Sequence, residues 1–126
     1  MNAEQYFSEL LAEFPILKAE IENEDYEMVH SRMEIFSNYN IEQIKSKKFS
    51  ELKRCFDFQE SRIGKLNSDL INALNVSYCE SLLLGDCASE MNEIIKLMPK
   101  KKKKMYKDYD EYYTKLWETY NKKPNA

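Results

Sequence analysis

Few residues in this chain have the types and spacing that chemistry requires. His30 is the only histidine, so a Ser-His-Asp triad or a mixed His/Cys metal site would have to be built around it. No motif surrounds His30, and the chain contains no glycine-rich phosphate loop. We therefore expect no catalytic residue, no metal site and no cofactor site.

Glu80 is the carboxylate of most interest, because it lies between Cys79 and Ser81 in the most apolar stretch of the chain. A buried acid with a raised pKa could serve as a general base. Buried acids are more often structural, since a charge in an apolar interior must be paired. We predict that Glu80 is a buried structural acid whose partner is Arg54, Arg62 or a neighbouring tyrosine hydroxyl.

The three cysteines, Cys55, Cys79 and Cys87, are odd in number and form no CxxC pair. All three lie in helical patterns, which favours reduced, buried thiols. The N-terminus lacks the basic and apolar regions of a signal peptide, and no stretch approaches the roughly 18 apolar residues of a membrane span. We expect a cytoplasmic protein without membrane contact.

Acidic residues are concentrated near the start of the chain. Residues 1–34 contain nine acids against Lys18 and Arg32, a local charge of −7. Such a field steers association with a partner of opposite charge, although it could also be only a solvated surface. We predict that the acids between residues 20 and 27 contact a basic protein. The predicted contact residues are Glu20, Glu22, Glu24, Asp25, Tyr26 and Glu27, with Tyr113 and Trp117 as alternative aromatic anchors.

A basic segment lies near the other end. Residues 96–107 hold seven lysines and no acid, including the run from Lys100 to Lys104. The run could bind nucleic-acid phosphates, or it could be a solvated loop; the net charge of −3 and the pI near 5.3 argue against nucleic acid as the main partner. Cations at a helix N-terminus also oppose the helix dipole, so either the last helix begins near Lys103 or another group compensates.

The elements that must position these residues are helices. The chain has two glycines, three prolines and no Asn-Gly or Asp-Gly pair, which is too few turn signals for a sheet protein. We predict an all-α fold: a single domain, residues 1–126, in which five to six helices form a compact bundle and 121–126 is a frayed tail. An apolar helix at about 69–84 lies at its centre, and the helices on either side of Gly64 could pack as a HEAT-like hairpin.

Capping residues and chain-breaking residues predict the helix boundaries. The predicted N-terminal caps are Asn2 (in a capping box with Gln5), Ser50 and Ser68; the predicted helix ends are Phe14 before Pro15, Gly64 in a left-handed turn, and Gly85; Pro99 begins the last helix.

The last helix presents an aromatic face. From Met105 to Tyr120 the apolar and aromatic side chains fall within an arc of roughly 140° on a helical wheel. Core packing is the usual role of such a face, although tyrosine rings can also stack on bases or anchor a protein partner.

Three segments carry a resemblance to a known group of proteins: Phe56-Asp57-Phe58, residues 72–80 (Asn-Ala-Leu-Asn-Val-Ser-Tyr-Cys-Glu) and Leu97-Met98-Pro99. The chain resembles a family of small, uncharacterised, all-helical bacterial proteins that are similar to immunity proteins of toxin systems. The resemblance implies a helical fold and a toxin-neutralising partner, and it assigns no catalytic residue. The lysine run is more basic than this resemblance implies.

Three functions are compatible with these features. The first is a non-catalytic protein-binding module, in its immunity-like form a protein that neutralises a basic toxin. The second is a nucleic-acid-associated accessory protein that uses Lys100 to Lys104, and the third is an enzyme that relies on Glu80. The acidic N-terminal region and the resemblance favour the first function. That function applies equally to a monomer and to an oligomer.

Overall fold

The computed structural model describes residues 1–25 and 28–121. Within these ranges the chain is helical and contains no strand, so the all-α prediction is confirmed. No helix among these residues is both long and apolar enough to cross a bilayer. The α-helices are α1 (Ala3–Glu13), α2 (Lys18–Glu22), α3 (Val29–Lys45), α4 (Phe49–Glu60), α5 (Ser68–Ala73), α6 (Glu80–Leu84), α7 (Met91–Ile94) and α8 (Lys100–Asn121).

One long helical segment lies at the centre of the packing. A π-helix, Leu74–Cys79, joins α5 to α6, and we call these three segments together the central helix, residues 68–84. The central helix packs against α3, and its π-helical part also packs against α8. Because it is covered on several sides, its buried residues do not form a single stripe. They are Leu70, Ala73, Leu74, Tyr78, Cys79 and Leu82.

An aromatic cluster fills the space between α3, α4 and the end of α1. The ring centroids of Phe14 and Phe36 are 5.6 Å apart, and the ring of Phe58 lies 5.8 Å from that of Phe14. Two arginines cover the cluster: Arg54 lies 4.3 Å above the ring of Phe14, and Arg62 lies 3.8 Å above the ring of Phe58. The guanidinium groups therefore stabilise the cluster through cation–π contacts.

The three cysteines are free thiols within the core, as predicted. Cys55 and Cys79 are 0% exposed and Cys87 is 2% exposed. Burial raises the pKa of all three thiols, to about 12 for Cys55, because the thiolate would lose its hydration.

The helix boundaries follow several of the local signals. The side chain of Asn2 accepts a hydrogen bond from the Gln5 amide (2.9 Å), and the Gln5 side chain accepts one from the Asn2 amide (3.0 Å), so the predicted capping box is confirmed. α1 ends at Glu13, and a 3-10 turn begins at Pro15. Gly85 directly follows α6, as predicted.

Two predicted serine caps are wrong by one or two residues. Asn67, and not Ser68, caps the central helix: its Oδ1 accepts a hydrogen bond from the Leu70 amide at 3.0 Å. α4 begins at Phe49, which places Ser50 inside the first turn. Asn and Ser cap helices about equally well, so neighbouring candidates cannot be ranked by residue type alone.

The prediction for Gly64 is also wrong. Gly64 lies in a 3-10 turn, Ile63–Lys65, and neither glycine of the chain has a positive φ. Among the described residues the left-handed conformation occurs at Lys47, with a φ of 55°, two residues after the end of α3.

Candidate protein-binding surface

A groove of about 670 Å³ runs between the central helix and α8, and we call it the α8 groove. Tyrosine rings form much of one wall, and the ring centroids of Tyr109 and Tyr112 are 6.0 Å apart. Aromatic faces beside carboxylates suit an apolar side chain or a cation. The groove is lined by Asn72, Asn75, Val76, Glu80, Met105, Asp108, Tyr109, Tyr112, Tyr113 and Leu116.

Glu80 lies in this groove and not in the core. The prediction that Glu80 is a buried acid is therefore wrong: the residue is partly exposed, because the side of the central helix that faces α8 is open to solvent here. Its carboxylate accepts a hydrogen bond from the Tyr109 hydroxyl at 2.9 Å. Burial and this hydrogen bond raise the pKa of Tyr109. Arg54 and Arg62, the other predicted partners, instead form salt bridges with Glu51 and Glu9.

The aromatic face of α8 divides into a buried half and an exposed half. Tyr106 is 2% exposed, whereas Tyr112 is 60%, Leu116 52% and Trp117 59% exposed. We call residues 112–121 the α8 arm. A notch of about 250 Å³ on the arm is lined by Tyr113, Leu116, Trp117 and Tyr120, and it shares Tyr113 and Leu116 with the α8 groove. The two predicted anchors, Tyr113 and Trp117, therefore lie side by side on an open surface.

Two further depressions extend this surface across the molecule. A hollow of about 370 Å³, the bridging hollow, shares Val76 and Glu80 with the α8 groove. A hollow of about 540 Å³ beside α3, the α3 hollow, shares Ser81 and Gly85 with the bridging hollow. The α8 groove and the two hollows therefore form a continuous surface from α8 to α2.

Carboxylates line this surface along its whole length, and we call the set the acidic track. Its members are Glu20, Glu34, Glu42, Glu80, Asp86 and Asp108. Among the described residues that line the three depressions, Lys45 is the only basic one, and it is paired with Asp86 at 3.0 Å. Glu20, Glu34 and Glu42 form no salt bridge with a described residue, so their charge is available to a partner.

The structure separates the acids that the sequence places together. Glu20 lines the α3 hollow, but Glu22 lines a different hollow beside α1 and Arg32. Both lie on the short helix α2, where residues two apart point in different directions. The Glu24 backbone carbonyl accepts two hydrogen bonds from the Arg32 guanidinium, at 3.1 and 2.7 Å, and Asp25 is exposed. The other predicted contact residues, Tyr26 and Glu27, lie outside the described residues.

The lysine run forms the first turn of α8, and another group does compensate its charge. The Glu60 carboxylate at the end of α4 accepts hydrogen bonds from the backbone amides of Lys101 (3.0 Å) and Lys102 (2.8 Å). A carboxylate at this position stabilises both the unpaired amides and the positive end of the helix dipole. Lys104 forms a salt bridge with Asp108 at 2.6 Å, which leaves fewer free cations for phosphate.

Lys102 is 0% exposed, and sequence reasoning missed this. Its ammonium lies above the Tyr78 ring and has no hydrogen-bond partner among the described residues. Burial lowers the pKa of Lys102 to about 8. The signal was available in the helical period, because Lys102 shares a face with Tyr106, Tyr109 and Tyr113 at intervals of four, three and four residues.

His30 lies on the surface next to the central helix. Its Nδ1 is 2.7 Å from the Ser77 hydroxyl, which is the spacing of a nucleophile and a base. Within the described residues no carboxylate hydrogen-bonds to the imidazole to orient it. Ser77 also lies inside the π-helix, where the backbone amides are used by helical hydrogen bonds and cannot stabilise an oxyanion. The pair therefore has the geometry of a surface contact.

The fold and this surface define an all-α protein with an open face that is both acidic and aromatic. The chain belongs to the family described as Domain of unknown function (DUF7674), which matches residues 7–114. The match includes the central helix and Tyr113, and it ends before Leu116 and Trp117. No curated protein and no solved structure matches the chain.

Proposed function

We propose that the protein is a non-catalytic protein-binding module whose contact surface is the acidic track together with the α8 groove, and whose partner is a basic protein. The observation that supports this most is continuity: carboxylates from α2, α3, the central helix and α8 line one connected series of depressions. A surface with one sign of charge and an aromatic end provides both steering and an anchor.

The charge of the track determines the chemistry of the partner. Because three of its carboxylates have no salt bridge with a described residue, a partner that brings lysine or arginine gains pairs without breaking any that already exist. Exposed pairs of this kind contribute little affinity each and act mainly on the association rate. The aromatic residues of the groove then supply the contact area that slows dissociation.

The immunity-like form of the proposal rests on the resemblance of residues 56–58, 72–80 and 97–99. Toxins of the nuclease type must bind polyanions and therefore present basic surfaces. An acidic inhibitor can cover such a surface and gain association rate from the same field. A basic toxin is thus the specific partner that we propose.

The test compares two charge-reversal variants that change the net charge equally. Glu20→Lys/Glu42→Lys alters the acidic track, whereas Glu4→Lys/Glu22→Lys alters the hollow beside α1. Wild type and both variants, each checked for an unchanged melting temperature, serve as baits in the native host. We expect wild type and the α1-side variant to retain the same basic protein. The track variant should bind that protein with an association rate lower by about tenfold at low salt.

Two results would contradict the proposal. One is a partner that is acidic. The other is equal association rates for the two variants, with the same salt dependence, which would show that the track is only a solvated surface.

A further inference from the structure

The α8 arm is an aromatic surface that the described fold leaves uncovered. α8 packs against α4 and the π-helix, and its residues buried there are Lys102 and Tyr106. Beyond Tyr109 the side chains of Tyr112, Leu116 and Trp117 are all more than half exposed. Trp and Tyr are enriched among the residues that dominate binding energy, and an apolar stripe on a helix is normally covered.

The dimensions of this surface fit one secondary-structure element. From Tyr109 to Tyr120 the arm and groove extend about 17 Å, which is three turns of an α-helix. In the α8 groove, Asn75 and Val76 of the central helix form a second wall opposite α8. The two helices thus leave between them a groove of the kind that a third helix fills. An amphipathic helix fits such a groove with apolar residues at i, i+3 or i+4, and i+7.

The charges beside the aromatic stripe of the α8 arm indicate what kind of helix would bind there. Residues 108–121 contain four acids and one lysine, and that lysine, Lys115, is already paired with Glu111 at 2.8 Å. A second copy of this chain packed arm against arm would bring a like charge to the contact, which opposes this form of self-association. A helix with basic residues on both sides of its apolar face would instead complement Glu80 and Asp108, which line the α8 groove, and Asp110, which adjoins the stripe in the helical period.

We propose that the α8 groove and arm bind one amphipathic helix of the partner, with its apolar face on Tyr112, Leu116 and Trp117 and its lysines or arginines at the acidic rim. This inference rests on the proposed function and specifies the contact within it. It places the aromatic anchor at the α8 end of the contact surface, whose other end is at α2.

The single tryptophan of the chain reports this contact directly, because Trp117 is 59% exposed before binding. The probe is a synthetic peptide of about 14 residues with leucines at i, i+3, i+4 and i+7 and lysines at the other positions. One control peptide has the same composition with the leucines dispersed around the helix, and a second has glutamate in place of lysine. We expect a saturable blue shift of the emission with the first peptide alone.

Two matched protein variants separate the arm from general hydrophobic adsorption. Leu116→Asp places a charge in the arm, and Ile16→Asp makes the same change at an apolar side chain that is 73% exposed elsewhere. Leu116→Asp should weaken peptide binding at least tenfold, and Ile16→Asp should leave it within twofold. An equal response to the dispersed peptide, or no loss in Leu116→Asp, overturns the inference.

The same proteins test whether the arm binds a helix of the partner or a second copy of this chain. A blue shift that grows with protein concentration alone, with a dimer mass by light scattering, would show a second copy on the arm and overturn the proposal. Binding of the captured partner to these variants distinguishes this inference from the proposed function. If its binding depends on Glu20 and Glu42 but not on Leu116, this inference fails while the proposed function stands; if it depends on neither, both fail.

Discussion

The ammonium nitrogen of Lys102 lies 3.7 Å from the centroid of the Tyr78 ring, and both residues are 0% exposed. The ring face offers partial compensation for the charge, but the nitrogen has no hydrogen-bond acceptor among the described residues. Cys79 and Glu60 are the ionisable groups that act on it. Glu60 is used by the backbone amides of Lys101 and Lys102, so the buried charge is incompletely paired.

Replacing this lysine should therefore stabilise the protein. Lys102→Met keeps the length of the side chain and removes the buried charge, and we expect the free energy of unfolding at pH 7 to rise by about 1–3 kcal/mol. Urea denaturation measures the change. Lys101→Met, at an exposed neighbouring position, is the control and should have almost no effect. A destabilised Lys102→Met protein would show that the contact with Tyr78 outweighs the desolvation.

The stability gap between wild type and Lys102→Met should depend on pH. Burial lowers the pKa of Lys102 to about 8 from its ordinary 10.5. The unfolded lysine still holds its proton between pH 8 and 10.5 while the folded one has lost it, so wild type gains stability as pH rises through this window. The gap should close by an amount on the order of 3 kcal/mol. Denaturation of both proteins from pH 7 to 10 tests this, each with Cys79→Ala in addition, because Lys102 and the Cys79 thiol influence each other's titration; a constant gap would contradict it.

Glu60 should be important for the start of α8. Its carboxylate accepts two backbone hydrogen bonds in the first turn, at 3.0 and 2.8 Å. We expect Glu60→Ala to lower the free energy of unfolding by about 1–2 kcal/mol and Glu60→Gln to lower it less, since an amide oxygen can still accept. Glu93→Ala removes an exposed acid whose one salt-bridge partner among the described residues is Lys96, and it is the control. Equal stability of Glu60→Ala and Glu93→Ala would exclude this capping role.

The Glu80–Tyr109 hydrogen bond should contribute modestly. Because Glu80 is partly exposed, we expect Glu80→Ala to cost about 1 kcal/mol and not the 3 kcal/mol or more of a fully buried charged partner. A double-mutant cycle with Glu80→Ala and Tyr109→Phe measures the coupling. Removing the carboxylate should also lower the pKa of Tyr109, which ultraviolet titration against the Tyr109→Phe background detects. A coupling energy of zero would mean that the contact is incidental.

The two glycines should respond oppositely to alanine. A Cβ at Gly85 would lie 2.2 Å from the Ser81 carbonyl oxygen, a backbone atom that cannot move away cheaply. A Cβ at Gly64 would meet nothing within 4 Å, and the φ there is ordinary for any residue. We expect Gly85→Ala to lower the melting temperature by several degrees and Gly64→Ala to leave it unchanged or raise it slightly. Similar melting temperatures for the two variants would rule out the close approach at Gly85.

Several helix boundaries follow from local signals, because capping and chain-breaking residues act within about one turn of their own position. Asn2, Pro15 and Gly85 each mark a boundary that the structure confirms. The π-helix at Leu74–Cys79 was not predicted, since an i→i+5 hydrogen bond leaves no mark in an apolar pattern.

The candidate site was less predictable because it is assembled across the chain. Tyr113 and Trp117 could be identified from the helical period alone. The acidic track combines Glu20, Glu42 and Glu80 from three separate elements, and no sequence spacing connects them. Glu22 shows the opposite case, since it is close to Glu20 in sequence and lies on a different side of the fold.

Because Cys55, Cys79 and Cys87 are buried, the rates at which they are alkylated report how often the fold opens locally. Alkylating reagents attack thiolates, and the folded protein exposes at most 2% of any of the three. Cys55 and Cys79, which are 0% exposed, can therefore react only when the helices around them separate, at a rate set by the free energy of that opening. The alkylation rate of Cys79 would report the separation of the central helix from its neighbours. The rate of Cys55 would report the separation of α4. A partner bound in the α8 groove, which is formed by the central helix and α8, would slow the reaction of Cys79.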